Sequence, residues 1–127
     1  EGEAKLLRIF VGESDLINHV PVYEKIVIEA RKAGLAGATV AKGIMGFGAS
    51  SRIHTSKILR LSEDLPLVIE IVDEENKIEQ FIPVLNGIFD EANSGGMITM
   101  EKVSIIKYTV AKKWCLDIFN NKFSLPQ

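Results

Sequence analysis

The residues best suited to ligand chemistry are glycines at two turns. Between Gly43 and Ser50 the chain reads GIMGFGAS, and the spacing Gly43-x-x-x-x-Gly48-Ala49-Ser50 is that of a loop whose backbone N–H groups cradle a phosphate. The lysine of such a loop is replaced by Ala49 and no helical pattern follows, so nucleoside triphosphate hydrolysis of that type is not expected. Gly46 and Gly48 around Phe47 still let backbone approach a ligand closely, either as an anion-binding nest or simply as a tight turn. Gly95-Gly96 carries the same two alternatives, a helix cap or a backbone surface against a ligand. His54, close to Arg52 and Lys57, can bind an anion or accept a proton, or it belongs to a solvated charged loop; His19, before Pro21, reads as a turn residue.

Catalytic constellations are thin. No spacing supports a Ser-His-Asp arrangement or a His/Cys metal cluster, and the acidic pairs Glu63-Asp64 and Glu74-Glu75 fall in polar, turn-like segments. The single cysteine, Cys115, has no second thiol to pair with, which suits a reducing, cytoplasmic setting. A small-ligand binding module is therefore expected rather than an enzyme.

A chain of 127 residues with 46% apolar and 25% charged side chains is one domain with a core of its own. A net charge of −2 gives no basic face for duplex nucleic acid, and MITMEKVSI lacks the basic and aromatic signature of a sheet that reads RNA. No apolar run is long enough to span a membrane, and the first residues do not resemble an export signal, so a cytoplasmic, non-membrane protein is expected.

The elements that must position the glycines follow from periodicity. Ala4 to Val11 alternates as a strand with Leu7, Ile9 and Val11 on one face and Leu6, Arg8 and Phe10 on the other. Pro21 opens a helix closed by Gly34. Ala38 to Met45 is a second strand, ending at Gly46-Phe47-Gly48, and Ala49 to Asp64 is a polar loop longer than ordinary connections. Pro66 to Asp73 is a third strand, with Glu70 its one internal charge. Ile78, Phe81, Ile82, Leu85, Ile88, Phe89 and Ala92 form one helical stripe, with Asn76 as expected N-cap and either a kink or a delayed regular start expected from Pro83. After Asn93-Ser94-Gly95-Gly96, Met97 to Tyr108 reads as a strand whose change of apolar phase predicts a bulge near Glu101 and Lys102.

The order βαββαβ predicts an α+β, ferredoxin-like split βαβ sandwich. It has a four-stranded antiparallel sheet with two helices on one face, in a single domain 1–127 with core 4–108 and a C-terminal arm 109–127. The first and third strands are apolar on both faces, so the face away from the helices is expected to meet another copy of the chain.

Gly34-Leu35-Ala36-Gly37-Ala38-Thr39-Val40, Gly46-Phe47-Gly48, Leu65-Pro66 with Ile69-Glu70-Ile71-Val72, and Gly95-Gly96 resemble the PII nitrogen-regulatory signal proteins. Gly43-Ile44-Met45-Gly46-Phe47-Gly48, Arg52-Ile53-His54-Thr55 and Lys57 to Ser62 more closely resemble the PII-like family of unknown function, small uncharacterised prokaryotic proteins. The match spans Ala4 to Tyr108. It implies a homotrimer with inward-facing sheets that binds an adenine nucleotide (AMP, ADP or ATP) in clefts between subunits. Such a protein signals through its long loop, without catalysis, to a target such as a transporter or an enzyme.

By that resemblance Thr39, Glu70 and Val72 match positions near the adenine, Gly46, Phe47 and Gly48 the base of the loop, and Gly95 and Gly96 the approach to the phosphates. The family's phosphate lysine aligns with Met97, and its two late arginines with Tyr108 and Val110. These losses favour a nucleotide with fewer phosphates, since each charge-assisted contact to phosphate is worth about 1.5–3 kcal/mol. Arg52, His54 or Lys107 would supply compensating charge. The alternative is a structural or divalent-metal-responsive trimer of the same architecture, resembling the divalent-cation-tolerance proteins.

Overall fold

The computed structural model describes residues 2–47 and 64–110, and the C-terminal arm beyond 110 lies outside them. Strand β1 (Gly2–Gly12) buries Leu7, Ile9 and Val11 and turns Leu6, Arg8 and Phe10 to the other face, as its alternation predicts. A small hairpin follows, β2 (Leu16–Ile17) and β3 (Val20–Pro21), and leads into α1 (Val22–Lys32). Then come β4 (Thr39–Lys42), β5 (Pro66–Asp73), α2 (Glu75–Ala92) and β6 (Met97–Ile105).

The main sheet has the order β4-β5-β1-β6 and is antiparallel throughout, the expected ferredoxin-like arrangement. Helix α1 contributes Val22, Ile26 and Ala30, and α2 contributes Ile78, Phe81, Leu85 and Ile88, to one core with Leu7, Ile9, Leu67, Ile69 and Ile71. Both helices thus cover the same face. The other face, carrying the alternate residues of each strand, has no helix over it among the described residues.

Several boundaries differ from the sequence expectation, each for a local reason. The N-terminus of α2 follows Glu74, not Asn76, and has no side-chain cap of its own. The Glu74 N–H is instead taken by Asp73 Oδ1 at 2.7 Å, so the last residue of β5 supplies the acceptor. Helix α2 runs through Pro83 from Glu75 to Ala92, because a proline removes one backbone bond while Phe81 and Leu85 on either side remain packed in the core. Asn93 then ends it at φ 52°, in the left-handed region.

No bulge occurs at Glu101 and Lys102, where the pairing with β1 runs without a slip from Gly2↔Ile105 to Phe10↔Met97. The phase change is a change of face. Ile98 and Met100 oppose Ile9 and Leu7 on the helix side, whereas Val103 and Ile105 belong to the open side. β6 ends at Ile105, opposite Gly2 of β1, and β4 is only four residues long.

The β2–β3 hairpin was not expected from the sequence. Its turn places Asn18 at φ 50° and His19 at φ 70°, both left-handed, and Asn18 Nδ2 donates to Glu91 Oε2 at 2.7 Å. Two positive φ angles in a two-residue hairpin loop mark a turn whose second position suits glycine best. His19→Gly is therefore expected to stabilise the fold by about 0.5–1 kcal/mol, the relief of left-handed strain exceeding the entropy that glycine adds to the unfolded chain. A rise in the thermal unfolding midpoint checks this. Among the described residues no helix is long and apolar enough to cross a membrane.

Candidate functional site

Antiparallel order brings the end of β4, the start of β5, the end of β1 and the start of β6 to one end of the sheet. At the β4 side the glycines close on a proline. Gly43 N donates to Pro66 O at 2.8 Å, and a Cβ on Gly43 or Gly46 would stand 3.0 Å from Pro66 Cγ. That packing turns Ile44, Met45 and Phe47 outward, with Phe47 66% exposed at the last described residue of this flank.

Both flanks of the long loop are tied to the turn that follows β1. Glu13 N donates to Leu65 O at 2.9 Å, Ser14 N to Asp64 Oδ1 at 3.1 Å, and Lys42 Nζ lies 2.9 Å from Glu13 Oε2. Asp15 completes the turn, its Oδ2 accepting from Gly12 N and its carbonyl from Val22 N at the start of α1, each at 2.9 Å. A displacement of the loop base would thus be felt at the first turn of a core helix.

The second glycine pair lies on the opposite edge. A Cβ at Gly96 would come within 2.7 Å of the Phe10 carbonyl and 2.9 Å of the Phe89 ring, so only glycine lets β6 begin this close to β1. Gly95 and Met97 are exposed, and the Ser94 hydroxyl is buried without a hydrogen-bond partner among the described residues. β5 and β1 stand between β4 and β6, so the two glycine turns are about 14 Å apart across three strand spacings. One chain brings them to the same end of the sheet but not into one pocket.

On the open face, Thr39 stands opposite Glu70, Glu70 opposite Arg8, and Arg8 opposite Thr99, forming one polar row across all four strands. Arg8 donates from Nε to Glu70 Oε2 at 2.9 Å and from Nη1 to Glu101 Oε1 at 2.7 Å. The hydrogen bond with Glu70, reinforced by the charge of Glu101, raises the guanidinium's pKa above its ordinary value, so the row keeps its cation at any working pH. Val72 is two residues beyond Glu70 on this face, beside Leu6. Thr39, Glu70 and Val72 are therefore brought together.

The other expected site residues separate. Lys107 lies past the far end of β6, about 26 Å of strand from Met97 to Ile105 intervening, so it does not join Gly95, Gly96 and Met97 within one chain. Gly48, Arg52 and His54 lie outside the described residues. Arg8, Glu101, Lys42 and Glu13 were not singled out as site residues, because their pairings join strands distant in the chain. A lone arginine and a lone glutamate inside apolar strands were the one available signal. Among the described residues no three His, Cys, Asp or Glu side chains stand where they can hold a metal ion together.

Residues 4–105 match the model of DUF190, described as uncharacterized ACR. The chain belongs to the DUF190 family. A UPF0166 protein of Aquifex aeolicus is 39% identical over 102 residues, covering 80% of this chain and 92% of that one. A UPF0166 protein of Methanocaldococcus jannaschii is 33% identical over 105 residues, covering 83% and 94%. Among solved structures, this DUF190 chain is similar to CPII of Thiomonas intermedia, a nitrogen regulatory PII-like protein bound to ADP, AMP and bicarbonate. The TM-score is 0.62 at 14% identity, over 83% of this chain and 90% of that one. A putative PII-like signaling protein of Thermus thermophilus gives 0.58 at 17% identity, again over 83% and 90%. At such identities the likeness is one of fold: DUF190 shares the PII-like, ferredoxin-like architecture.

Proposed function

We propose that this DUF190 protein is a non-catalytic, cytoplasmic regulator that binds an adenine nucleotide in clefts between the subunits of a homotrimer. The polar segment Ala49 to Asp64 would serve as its signalling loop, directed at a target protein such as a transporter or an enzyme. The observation that carries this reading is the division of the two glycine turns between opposite edges of the same sheet end, about 14 Å apart. A ligand the size of a mononucleotide touches both only if the β4 edge of one copy meets the β6 edge of the next. The sheet face that α1 and α2 do not cover, lined by Leu6, Phe10, Val68 and Val72, supports the association.

The nucleotide class rests on the shared face of Thr39, Glu70 and Val72, where the PII resemblance puts the base, and on the adenine nucleotides bound by CPII. Met97 at the position of the family's phosphate lysine favours AMP or ADP over ATP. The Glu13–Lys42 pair and the Ser14–Asp64 bond tie the loop base to α1 and would relay the filling of the cleft.

Calorimetric titration with AMP, ADP and ATP tests the reading. AMP or ADP is expected to bind more tightly than ATP. At a free concentration of about a hundred times its dissociation constant, the bound nucleotide adds about 2.7 kcal/mol to the unfolding free energy. Gly48→Val is expected to weaken binding while the oligomer persists in light scattering. No heat and no thermal shift with any of the three nucleotides overturns the nucleotide assignment, and a response to divalent cations alone would favour the metal-responsive alternative.

A further inference from the structure

The outer face of α2 differs from that of an ordinary surface helix. Glu79, Pro83, Gly87 and Asp90 follow one another at steps of three or four residues and form one exposed stripe, with Val84, 37% exposed, beside it. Proline and glycine are the residues a helix interior tolerates least, the first through a lost hydrogen bond and the second through backbone entropy. Core packing requires neither of them: Pro83 is exposed, and a Cβ at Gly87 would meet no atom within 4 Å. The middle of the stripe is thus a shallow apolar seat between two carboxylates. Asp90 and Glu91 also stand in the last turn, where the helix dipole favours cations and α2 has none of its own.

Chain connectivity supplies an occupant. β6 ends at Ile105 opposite Gly2, and Asp73, which leads into α2, stands opposite Lys5 of the same strand. The chain therefore leaves the sheet at the end where α2 begins, two strand spacings or about 10 Å from β5. The family match stops at residue 105, and segment 111–127 brings Trp114, Leu116, Ile118, Phe119, Phe123 and Leu125 together with three lysines and one aspartate. Even at a helical rise of about 1.5 Å per residue its 17 residues span about 26 Å, against about 27 Å for the 18 residues of α2.

Charge selects α2 among the surfaces within reach. Helix α2 carries Glu75, Glu79, Asp90 and Glu91 against Lys77, whereas α1 carries Lys25, Arg31 and Lys32 against Glu24 and Glu29, and Glu29 is already paired with both lysines. On the open sheet face Glu70 and Glu101 already hold Arg8. Glu75, Glu79 and Asp90 take part in no ion pair among the described residues. The order of groups agrees as well. Lys112 and Lys113 precede Trp114, Ile118 and Phe119, and Lys122 follows them, just as Glu79 precedes Pro83 and Gly87 and Asp90 follows.

We propose that segment 111–127 docks along the outer face of α2, with Lys112 and Lys113 toward Glu75 and Glu79, Lys122 toward Asp90, and the aromatic residues between them over Pro83, Val84 and Gly87. Burial of the rings supplies the attraction, and the charges at either end set the direction.

Trp114 is the only tryptophan of the chain, so its fluorescence reads the segment directly in the full-length protein. Its emission in the folded chain is expected to lie to the blue of that in the urea-unfolded chain, with weaker quenching by acrylamide. Glu79→Lys combined with Asp90→Lys is expected to move the emission to the red and raise the quenching constant at least about twofold, and salt at about 1 M to act in the same direction. Adding Lys113→Glu and Lys122→Glu to that variant is expected to restore the sheltered signal. Gly87→Gln, a better helix former that fills the seat, is expected to release Trp114 while circular dichroism shows the helices kept. A Trp114 as accessible in the folded chain as in the unfolded one overturns the proposal. So does a sheltered Trp114 that neither the charge reversal nor Gly87→Gln moves, since the segment would then lie against another surface.

Discussion

Replacing Asp73 by alanine is expected to lower the unfolding free energy by about 2–4 kcal/mol, because two hydrogen bonds to a charged acceptor are lost at once. Asp73 is the one charged side chain buried among the described residues. Its Oδ1 accepts from Glu74 N at 2.7 Å and its Oδ2 from Ala36 N at 2.9 Å. One carboxylate thus covers the first free N–H ahead of α2 and pins the connection that leads from α1 to β4. The negative charge beside the N-terminus of α2 also complements the helix dipole. Asp73→Asn, with one oxygen in place of two, is expected to lose about half as much. For a chain of this length each kcal/mol corresponds to roughly 3–6 °C in Tm, so thermal unfolding resolves the series. A Tm that does not move for Asp73→Ala would mean that water serves both N–H groups equally well.

Gly96→Ala is expected to destabilise the fold by about 1–3 kcal/mol, the range for forcing a methyl group into a filled space. Its Cβ would meet the Phe10 carbonyl at 2.7 Å and the edge of Phe89 at 2.9 Å. The ring can rotate away. The carbonyl cannot, because Phe10 is held in the β1–β6 ladder opposite Met97, so the start of β6 must move instead. Chemical denaturation measures the loss, and calorimetry on the same protein tells whether the proposed nucleotide binding weakens with it. Gly95, exposed beside it, offers the contrast: an alanine there that weakens nucleotide binding at unchanged stability would place the phosphate at that residue. Unchanged stability in Gly96→Ala would show that the close approach of β6 to β1 is not required.

Much of the fold was legible because its signals are local. The stripe from Ile78 to Ala92 declares a helix through its period, and Pro66 to Asp73 declares a strand through its composition; both elements occur where expected. The cap of α2 was misread because Asn76 has the right side chain, whereas the acceptor in place is Asp73, which the end of β5 brings to the helix. The bulge was misread because a change of apolar phase looks the same whether the backbone slips or both faces are apolar. Of the β2–β3 hairpin only the turn at His19 was legible, since two-residue strands have no period and Asn18-His19 lacks the glycine that usually marks such a turn.

By itself the sequence determined the element types, the βαββαβ order, the two glycine turns and the apolar character of both sheet faces, all carried by neighbouring residues. Strand order and register were decided only by the tertiary structure. They separate Gly46 from Gly96 by two intervening strands, set Arg8 between Glu70 and Glu101, and bind the loop base to α1 through Glu13 and Asp15. The physical reason is that each of these contacts joins residues tens of positions apart. It forms only when burial of the shared core, with Leu7, Ile9, Ile69, Ile71, Phe81 and Leu85 at its centre, has fixed which strand lies beside which.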